Sequence, residues 1–342
     1  MAEALEPPQV PVLRDPSLSS ESPSTDIMPG WAKASCRERL RMVGYNIIIY
    51  TPVAILLLLL AGMPLIYFLL YFLPMVVDGD DEPELYYWHS GGEHARARIA
   101  GSTCFALELL FVSLLAWSFY KALFTAPGSV PDTVEWTDLQ AAEQTRAHLL
   151  NEKKHTNGAV RWCRRCGVVK PDRSHHCRLC DMCVLKMDHH CPWIANCVGF
   201  FNYKYFFLML TYGMLALWVF VGTFWATVLI SLRDDDASTG FTFFVTVVYS
   251  LMLILSLAVT LFWGFHIYLL MTASTTIEYC EKHRKVPRLN GKEYTYYNSL
   301  YESLQCSLGR HPAYWLVPFH YRDPDETGLY FQHGFNHATL ES

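Results

Sequence analysis

The chain alternates long apolar runs with short polar segments. Four runs, roughly 46–73, 99–124, 205–232 and 241–271, each reach the length of about 20 residues that a helix needs to cross a bilayer. Residues 54–61 of the first run are almost continuous Ile and Leu. Buried helices of a soluble protein are the competing reading, and four runs of this length in one chain decide against it. The pattern predicts an all-α polytopic membrane protein with four transmembrane helices. Composition agrees: 52% of residues are hydrophobic and 17% charged, where a soluble domain carries about 25% charged residues. Residues 1–30 are rich in Pro, Ser and acids, have no apolar run, and read as a disordered tail rather than a signal peptide. The chain divides into a tail (1–41), helices one and two (42–124), a linker (125–160), a cysteine-rich segment (161–203), helices three and four (204–272) and a C-terminal region (273–342). No internal repeat is read from it.

Basic residues set the expected orientation. Lys33, Arg37, Arg39 and Arg41 precede the first run, and Lys282, Arg284, Lys285 and Arg288 follow the fourth. The loop 78–98 opens with Asp78, Asp80, Asp81, Glu82 and Glu84, and the loop 233–240 contains Asp234, Asp235 and Asp236. Both termini and the segment between runs two and three therefore read as cytosolic. A net charge of −5 and a pI near 6.3 argue against a nucleic-acid partner.

That middle segment, 163–197, reads CRRCGVVKPDRSHHCRLCDMCVLKMDHHCPWIANC. It holds seven of the chain's 11 cysteines and four histidines. Cys-x2-Cys pairs followed by His offer soft donors for tetrahedral zinc, and thiols in such spacing suit the reducing cytosol. Two closed sites need eight donors. Cys163, Cys166, Cys177, Cys180, Cys183 and Cys197 with His176 and His190 supply them, leaving Cys191 spare beside Asp188 and His189. A thiol, an imidazole and a carboxylate together form an activated nucleophile. Spacing alone leaves open which thiol is spare.

Asp188-His189-His190-Cys191, set between Lys170–Cys177 and Cys191–Gly199, resembles the DHHC cysteine-rich domain of protein S-acyltransferases (palmitoyltransferases). The resemblance implies two structural zinc ions, one held by Cys163, Cys166, His176 and Cys183, the other by Cys177, Cys180, His190 and Cys197. It implies that Cys191 carries an acyl group from palmitoyl-CoA or another long-chain acyl-CoA. His189 would be the base and Asp188 its orienting partner, with Trp193 a lip beside the thiol. Thr275-Thr276-Ile277-Glu278 is similar to the family's TTxE motif, with Thr276 against Asp188. The stretch 294–309 is similar to its aromatic C-terminal motif, with Asn298 the key residue. Ala126-Pro127-Gly128 stands where the family usually has Asp-Pro-Gly, and Leu308-Gly309 where it has Phe-Gly. The implied acceptors are cysteines of membrane-associated proteins, and the implied home is the Golgi, the ER or the plasma membrane. The competing class is a zinc-bearing membrane adaptor without acyl transfer; a spare His and Asp beside Cys191 argue against it.

Some residues stand outside that scheme. Arg164, Arg165, Lys170, Arg173 and Arg178 are read as surface groups within reach of the CoA phosphates. A polar surface helix is expected over 135–153, with Trp136, Leu139, Leu149 and Leu150 packing inward or, as the alternative, touching the membrane surface. Glu108, Lys121 and His266 fall inside apolar runs, where ionisable groups are functional candidates; Lys121 and His266 lie near the cytosolic ends and can snorkel, and no partner is read for the deeper Glu108. Cys104 reads as packing, and Cys36, Cys280 and Cys306 as juxtamembrane thiols open to acylation.

Overall fold

The computed structural model describes residues 36–73, 93–145, 148–152, 159–235, 237–282, 288–289, 292–296, 299–319, 327–331 and 334–335. Four long helices carry the fold. Helix α1 (Cys36–Tyr67) runs on into a π-helical turn, Phe68–Phe72. Pro64 lies inside it and has no N–H for the carbonyl four residues back, and the helix widens one turn later. Helix α2 covers Glu93–Phe124. Two short helices follow, α3 (Val134–Thr137) and α4 (Leu139–Thr145), and then the long α5 (Tyr203–Arg233) and α6 (Thr239–Met271). Stretches of α1, α2, α5 and α6 are each long and apolar enough to cross a membrane. Outward-facing residues such as Leu58, Ile254 and Leu261 are apolar and more than 60% exposed, as contact with lipid requires. The chain is an integral membrane protein.

Helix α5 is the centre of the bundle. It packs against α2 on one side and α6 on the other, and it buries Phe206, Leu208, Ala216, Phe220 and Phe224 almost completely. The cysteine-rich segment sits at the end of the bundle formed by the C-terminus of α2 and the N-terminus of α5. It is not helical. Three antiparallel hairpins make it up: β1–β2 (Trp162–Cys163 with Val168–Val169), β3–β4 (His175–Cys177 with Met182–Val184) and β5–β6 (His189–Cys191 with Asn196–Val198). Strands of two or three residues are too short to announce themselves by alternation; the described chain is otherwise mostly helical, with four membrane helices and the cysteine-rich segment between the second and third.

Backbone contacts fix the module to the bundle. Asn196 Nδ2 donates to the carbonyls of Ala122, Leu123 and Thr125 at 3.0–3.3 Å. Asn202 Nδ2 donates to the carbonyls of Thr125 and Cys197, while its Oδ1 accepts from Gly199 N. Two side-chain amides thus satisfy the carbonyls that the end of α2 leaves open. Pro127-Gly128 continues the junction: Leu185 N donates to Gly128 O, and Phe201 N to Pro127 O. Gly128 has φ +99°, and a Cβ there would lie 2.7 Å from the Phe201 ring, so only glycine fits.

The linker differs from the expected single helix. Asp138 adopts an extended conformation, and its Oδ1 accepts from Gln140 N at 2.8 Å, capping α4 and separating it from α3. Trp136 and Leu150 are buried with Ala142, Val160 and Val169, whereas Leu139 and Leu149 are exposed.

The C-terminal region folds back over the same end. It contains α7 (Thr276–Lys282), α8 (Leu300–Leu308) and a small sheet of β7 (Arg288–Leu289), β8 (Lys292–Thr295) and β9 (Gly334–Phe335). Ser303 Oγ donates to Leu270 O at the end of α6. Lys204 Nζ, buried in the first turn of α5, donates to Tyr314 O and Phe319 O, both at 2.6 Å.

Arg173 is the strongest link between module and C-terminal region, and it corrects the sequence reading. It is fully buried and so is not a surface group. Nε and Nη2 hold the two oxygens of Glu278 at 2.6 and 2.7 Å, and Nη2 also donates to Ala273 O. The rings of Tyr296 and Phe331 cover the guanidinium at 4.4 and 5.3 Å. Burial opposes ionisation of Glu278, but Arg173 holds its carboxyl below the usual range. Removing one partner of such a pair leaves a charge in an apolar site, which costs about 3–5 kcal/mol. Arg173→Met is expected to lower the thermal unfolding midpoint and to loosen α7 from the module. Arg173→Met with Glu278→Leu is expected to recover most of that loss, since no charge is then stranded.

Candidate functional site

The three hairpins are one unit repeated at intervals of 14 residues. Each contains a facing pair seven residues apart: Trp162 with Val169, His176 with Cys183, His190 with Cys197. The next pair lies one step inward: Cys163 with Val168, Cys177 with Met182, Cys191 with Asn196. Each turn uses a left-handed residue at the same place, namely Gly167, Asp181 and Ala195. An internal repeat therefore exists that the sequence reading did not find.

The repeat explains the donor sets. Cys163, Cys166, His176 and Cys183 place one ligand atom each within 4.8 Å of one another, and Cys177, Cys180, His190 and Cys197 do the same. The first hairpin gives its Cys-x2-Cys, and the facing His and Cys of the second complete the set. The second hairpin's own Cys-x2-Cys is completed by the third in the same way. Metal held in the two sets would staple the three hairpins together. In the third hairpin Cys191 occupies the position of the donors Cys163 and Cys177. Its would-be partner, the counterpart of Cys166 and Cys180, is Ile194. With no second sulfur and no fourth hairpin, Cys191 is left without a set.

The donors fit zinc. A tetrahedral zinc ion with sulfur and imidazole ligands spaces its donors roughly 3.6 Å apart. His190 Nδ1 lies 3.7, 3.4 and 3.5 Å from the sulfurs of Cys177, Cys180 and Cys197, and the Cys180 and Cys197 sulfurs are 3.5 Å apart. Burial and the neighbouring thiols push Cys183 and Cys197 well above the usual thiol range; a divalent cation among them removes that penalty. His176 turns Nδ1 to the Cys166 sulfur at 3.1 Å, and its Nε2 lies 3.6 Å from the Asp181 carboxylate, an orientation common to metal-bound imidazoles. Closed four-donor sites of this kind supply cross-linking, not an open coordination position.

Strand alternation then divides the Asp-His-His-Cys run. Successive side chains of a strand point to opposite faces. His190 faces its metal set, while His189 and Cys191 share the other face. Asp188 is fully buried. Its Oδ2 accepts from His189 Nδ1 at 2.6 Å and from Thr276 Oγ1 at 2.7 Å, and its Oδ1 accepts from Thr276 N at 2.9 Å. Burial opposes the charge on Asp188, but these donors hold its carboxyl below the usual range. Burial likewise opposes protonation of His189, yet the bonds to Asp188 and to the Cys191 side chain raise it to about 9. His175, which stands at the same place in the second hairpin, is lowered to about 4 by burial and by Arg161 and Lys170. Ser174 precedes His175 where Asp188 precedes His189, so His175 lacks that carboxylate and has Arg161 and Lys170 nearby instead.

Cys191 is 4% exposed and belongs to the apolar cluster that joins Val53 of α1, Leu115, Phe119 and Ala122 of α2, and Tyr203 and Phe206 of α5. Trp193, on the turn after it, is 48% exposed. The structure thus brings together Asp188, His189, Cys191 and Thr276, and gathers the eight metal donors into two sets. Asn298 lies outside the described residues. Asn196, Asn202, Arg173 and Lys186 were not singled out for the positions they hold. Lys186, another left-handed residue, is buried and donates to Ser307 Oγ at 3.1 Å.

A family model for the DHHC palmitoyltransferase matches residues 156–283. Probable protein S-acyltransferase 16 of Arabidopsis thaliana is 35% identical over 227 residues, covering 64% of this chain and 76% of that protein. The chain belongs to the DHHC palmitoyltransferase family. Palmitoyltransferase ZDHHC15 of Rattus norvegicus is 32% identical over 220 residues, 59% of this chain and 64% of the rat protein's length. Palmitoyltransferase pfa3 of Neurospora crassa is 37% identical over 197 residues, 56% of this chain and 31% of that protein. The DHHC match spans both metal sets, Asp188–Cys191 and Thr276.

Proposed function

We propose that the chain is a protein S-palmitoyltransferase working in two steps through a thioester on Cys191. His189 takes the thiol proton. The Cys191 sulfur attacks the acyl carbon of acyl-CoA, and the CoA sulfur leaves with that proton. A cysteine of a membrane-associated protein then attacks the acyl-enzyme by the reverse logic. Asp188 holds His189 in the tautomer that presents Nε2 to the thiol, and Thr276 fixes Asp188. The two four-donor sets would hold structural zinc and keep the hairpins rigid; Trp193 would border the acyl path. The observation that carries this reading is a buried Cys191 outside both four-donor sets, on the same strand face as His189 and in an apolar cluster that draws on all four membrane helices.

An apolar depression of about 220 Å³, open toward lipid, is lined by Leu58, Gly62 and Met63 of α1, Phe220 of α5 and Val248 and Met252 of α6, and is a candidate site for the acyl chain. Met63 lies ten residues along α1 from Val53, about 15 Å at the helical rise, and Val53 shares the cluster of Cys191. A 16-carbon chain hung from Cys191 spans a similar length. Each buried methylene contributes about 0.8 kcal/mol. The basic residues flanking the runs support a cytosolic side for the module and both termini, with the Golgi, ER or plasma membrane as the proposed home.

The test is direct. Purified protein in vesicles with palmitoyl-CoA is expected to release free CoA thiol and to retain a label that neutral hydroxylamine removes. The adaptor reading predicts neither. A folded, zinc-loaded sample that releases no CoA would reject the transferase.

A further inference from the structure

Acyl transfer puts negative charge on the carbonyl oxygen as sulfur attacks, and active sites meet that charge with fixed donors. Closed metal sets offer no position for the oxygen, so donors of the protein must meet it. Beyond His189, one ring beside this site carries a buried polar atom left over: His266, near the end of α6. Its side chain is fully buried, and its Nε2 has no hydrogen-bond partner among the described residues.

The tautomer follows from its neighbour. Tyr203 is 7% exposed, and the partner its hydroxyl finds among the described residues is His266 Nδ1, at 3.3 Å. A buried hydroxyl proton needs an acceptor, so Tyr203 donates and Nδ1 accepts. A neutral imidazole that accepts at Nδ1 carries its proton at Nε2. His266 Nε2–H is then a donor held away from water with nothing among the described residues to donate to, a costly state unless something occupies it. The ring lies in the catalytic neighbourhood: its centroid is 6.2 Å from that of His189, and Phe206 stands edge-on to both histidines at 5.0 Å. Phe262 and Phe265 flank its other sides and offer no acceptor.

We propose that His266 is a second catalytic histidine, whose Nε2–H donates to the thioester carbonyl oxygen as Cys191 attacks. The inference rests on the acyl-transfer reading and adds the group that stabilises its tetrahedral intermediate. In the step, the Cys191 sulfur–carbon bond forms and the carbonyl electron pair moves to oxygen, where His266 meets it. The pair then returns, the carbon–CoA sulfur bond breaks, and CoA leaves with the proton that His189 took from Cys191. His266 keeps its own proton throughout. Tyr203 is a positioning residue that acts through the tautomer.

The experiment compares two reactions of one thiol. Self-acylation by palmitoyl-CoA builds an oxyanion; alkylation by iodoacetamide does not, but needs the same thiolate and the same access. His266→Met should slow acylation by about 100-fold, the usual loss for one oxyanion donor, with Cys191 alkylation within about threefold of wild type. His266→Gln, which keeps an N–H at similar reach, should recover at least tenfold of that loss. Tyr203→Phe, which lets the proton move to Nδ1, should slow acylation and spare alkylation. Zinc content of two per chain certifies the fold of each variant. Wild-type acylation rates in His266→Met would overturn the inference. So would alkylation that slows in step with acylation, which would make His266 a support of the thiolate. Wild type that releases no CoA would instead overturn the transferase itself.

Discussion

Cys191→Ser is expected to abolish the hydroxylamine-sensitive label while zinc content stays at two per chain. The label goes because a hydroxyl beside His189 is a far weaker nucleophile than a thiol. The fold stays because Cys191 holds no metal: its counterpart donors in the repeat are Cys163 and Cys177, and Ile194 replaces the sulfur it would pair with. Loss of label should exceed 1,000-fold, on the order seen for removal of a covalent nucleophile. Intact-protein mass and metal analysis on the same preparation decide the matter. A variant that still forms a thioester would place the nucleophile at another cysteine, and one that loses zinc would make Cys191 a ligand.

Cys177→Ser should behave in the opposite way, although it changes the same residue type at the same place one hairpin earlier. Cys177 belongs to the second donor set with Cys180, His190 and Cys197. Removing it leaves three donors and frees the staple between hairpins two and three. Structural zinc contributes on the order of 10 kcal/mol to small metal domains, and this module has strands of only two or three residues to fall back on. Zinc should fall to about one per chain, the module should become open to protease, and acylation should vanish with it. Retention of two ions and full activity would show that the donor sets are wrong. The two serine variants together separate chemistry from architecture.

Much of this was legible in the amino-acid order. Four apolar runs gave four helices because length and composition suffice in a bilayer. Eight donors and a leftover thiol could be counted because ligand chemistry admits few residue types. The 14-residue repeat was also written in the chain, as His175-His176-Cys177 and again as His189-His190-Cys191. It passed unseen because only two of three units carry the triplet and each is scarcely longer than a turn. Other features were out of reach. Arg173 looks like any loop arginine until the fold wraps Glu278, Tyr296 and Phe331 around it. Asn196 and Asn202 act on carbonyls of α2, more than 70 residues away in sequence. The break at Asp138 is a choice of backbone conformation that helix propensity does not forbid. His266 stood out as an ionisable group in an apolar run, but its orphaned nitrogen depends on where Tyr203 puts its hydroxyl.

For acyl transfer to run as proposed, the Cys191 sulfur must be free of metal and open to acyl-CoA. Zinc-loaded protein should be incubated with palmitoyl-CoA, digested, and the mass of the Cys191 peptide read beside the metal count of the same sample. One palmitoyl group on Cys191, with two zinc ions per chain before and after, is the result predicted. An unmodified Cys191 with the acyl group on Cys280 or Cys306, or zinc released as the label appears, would contradict it.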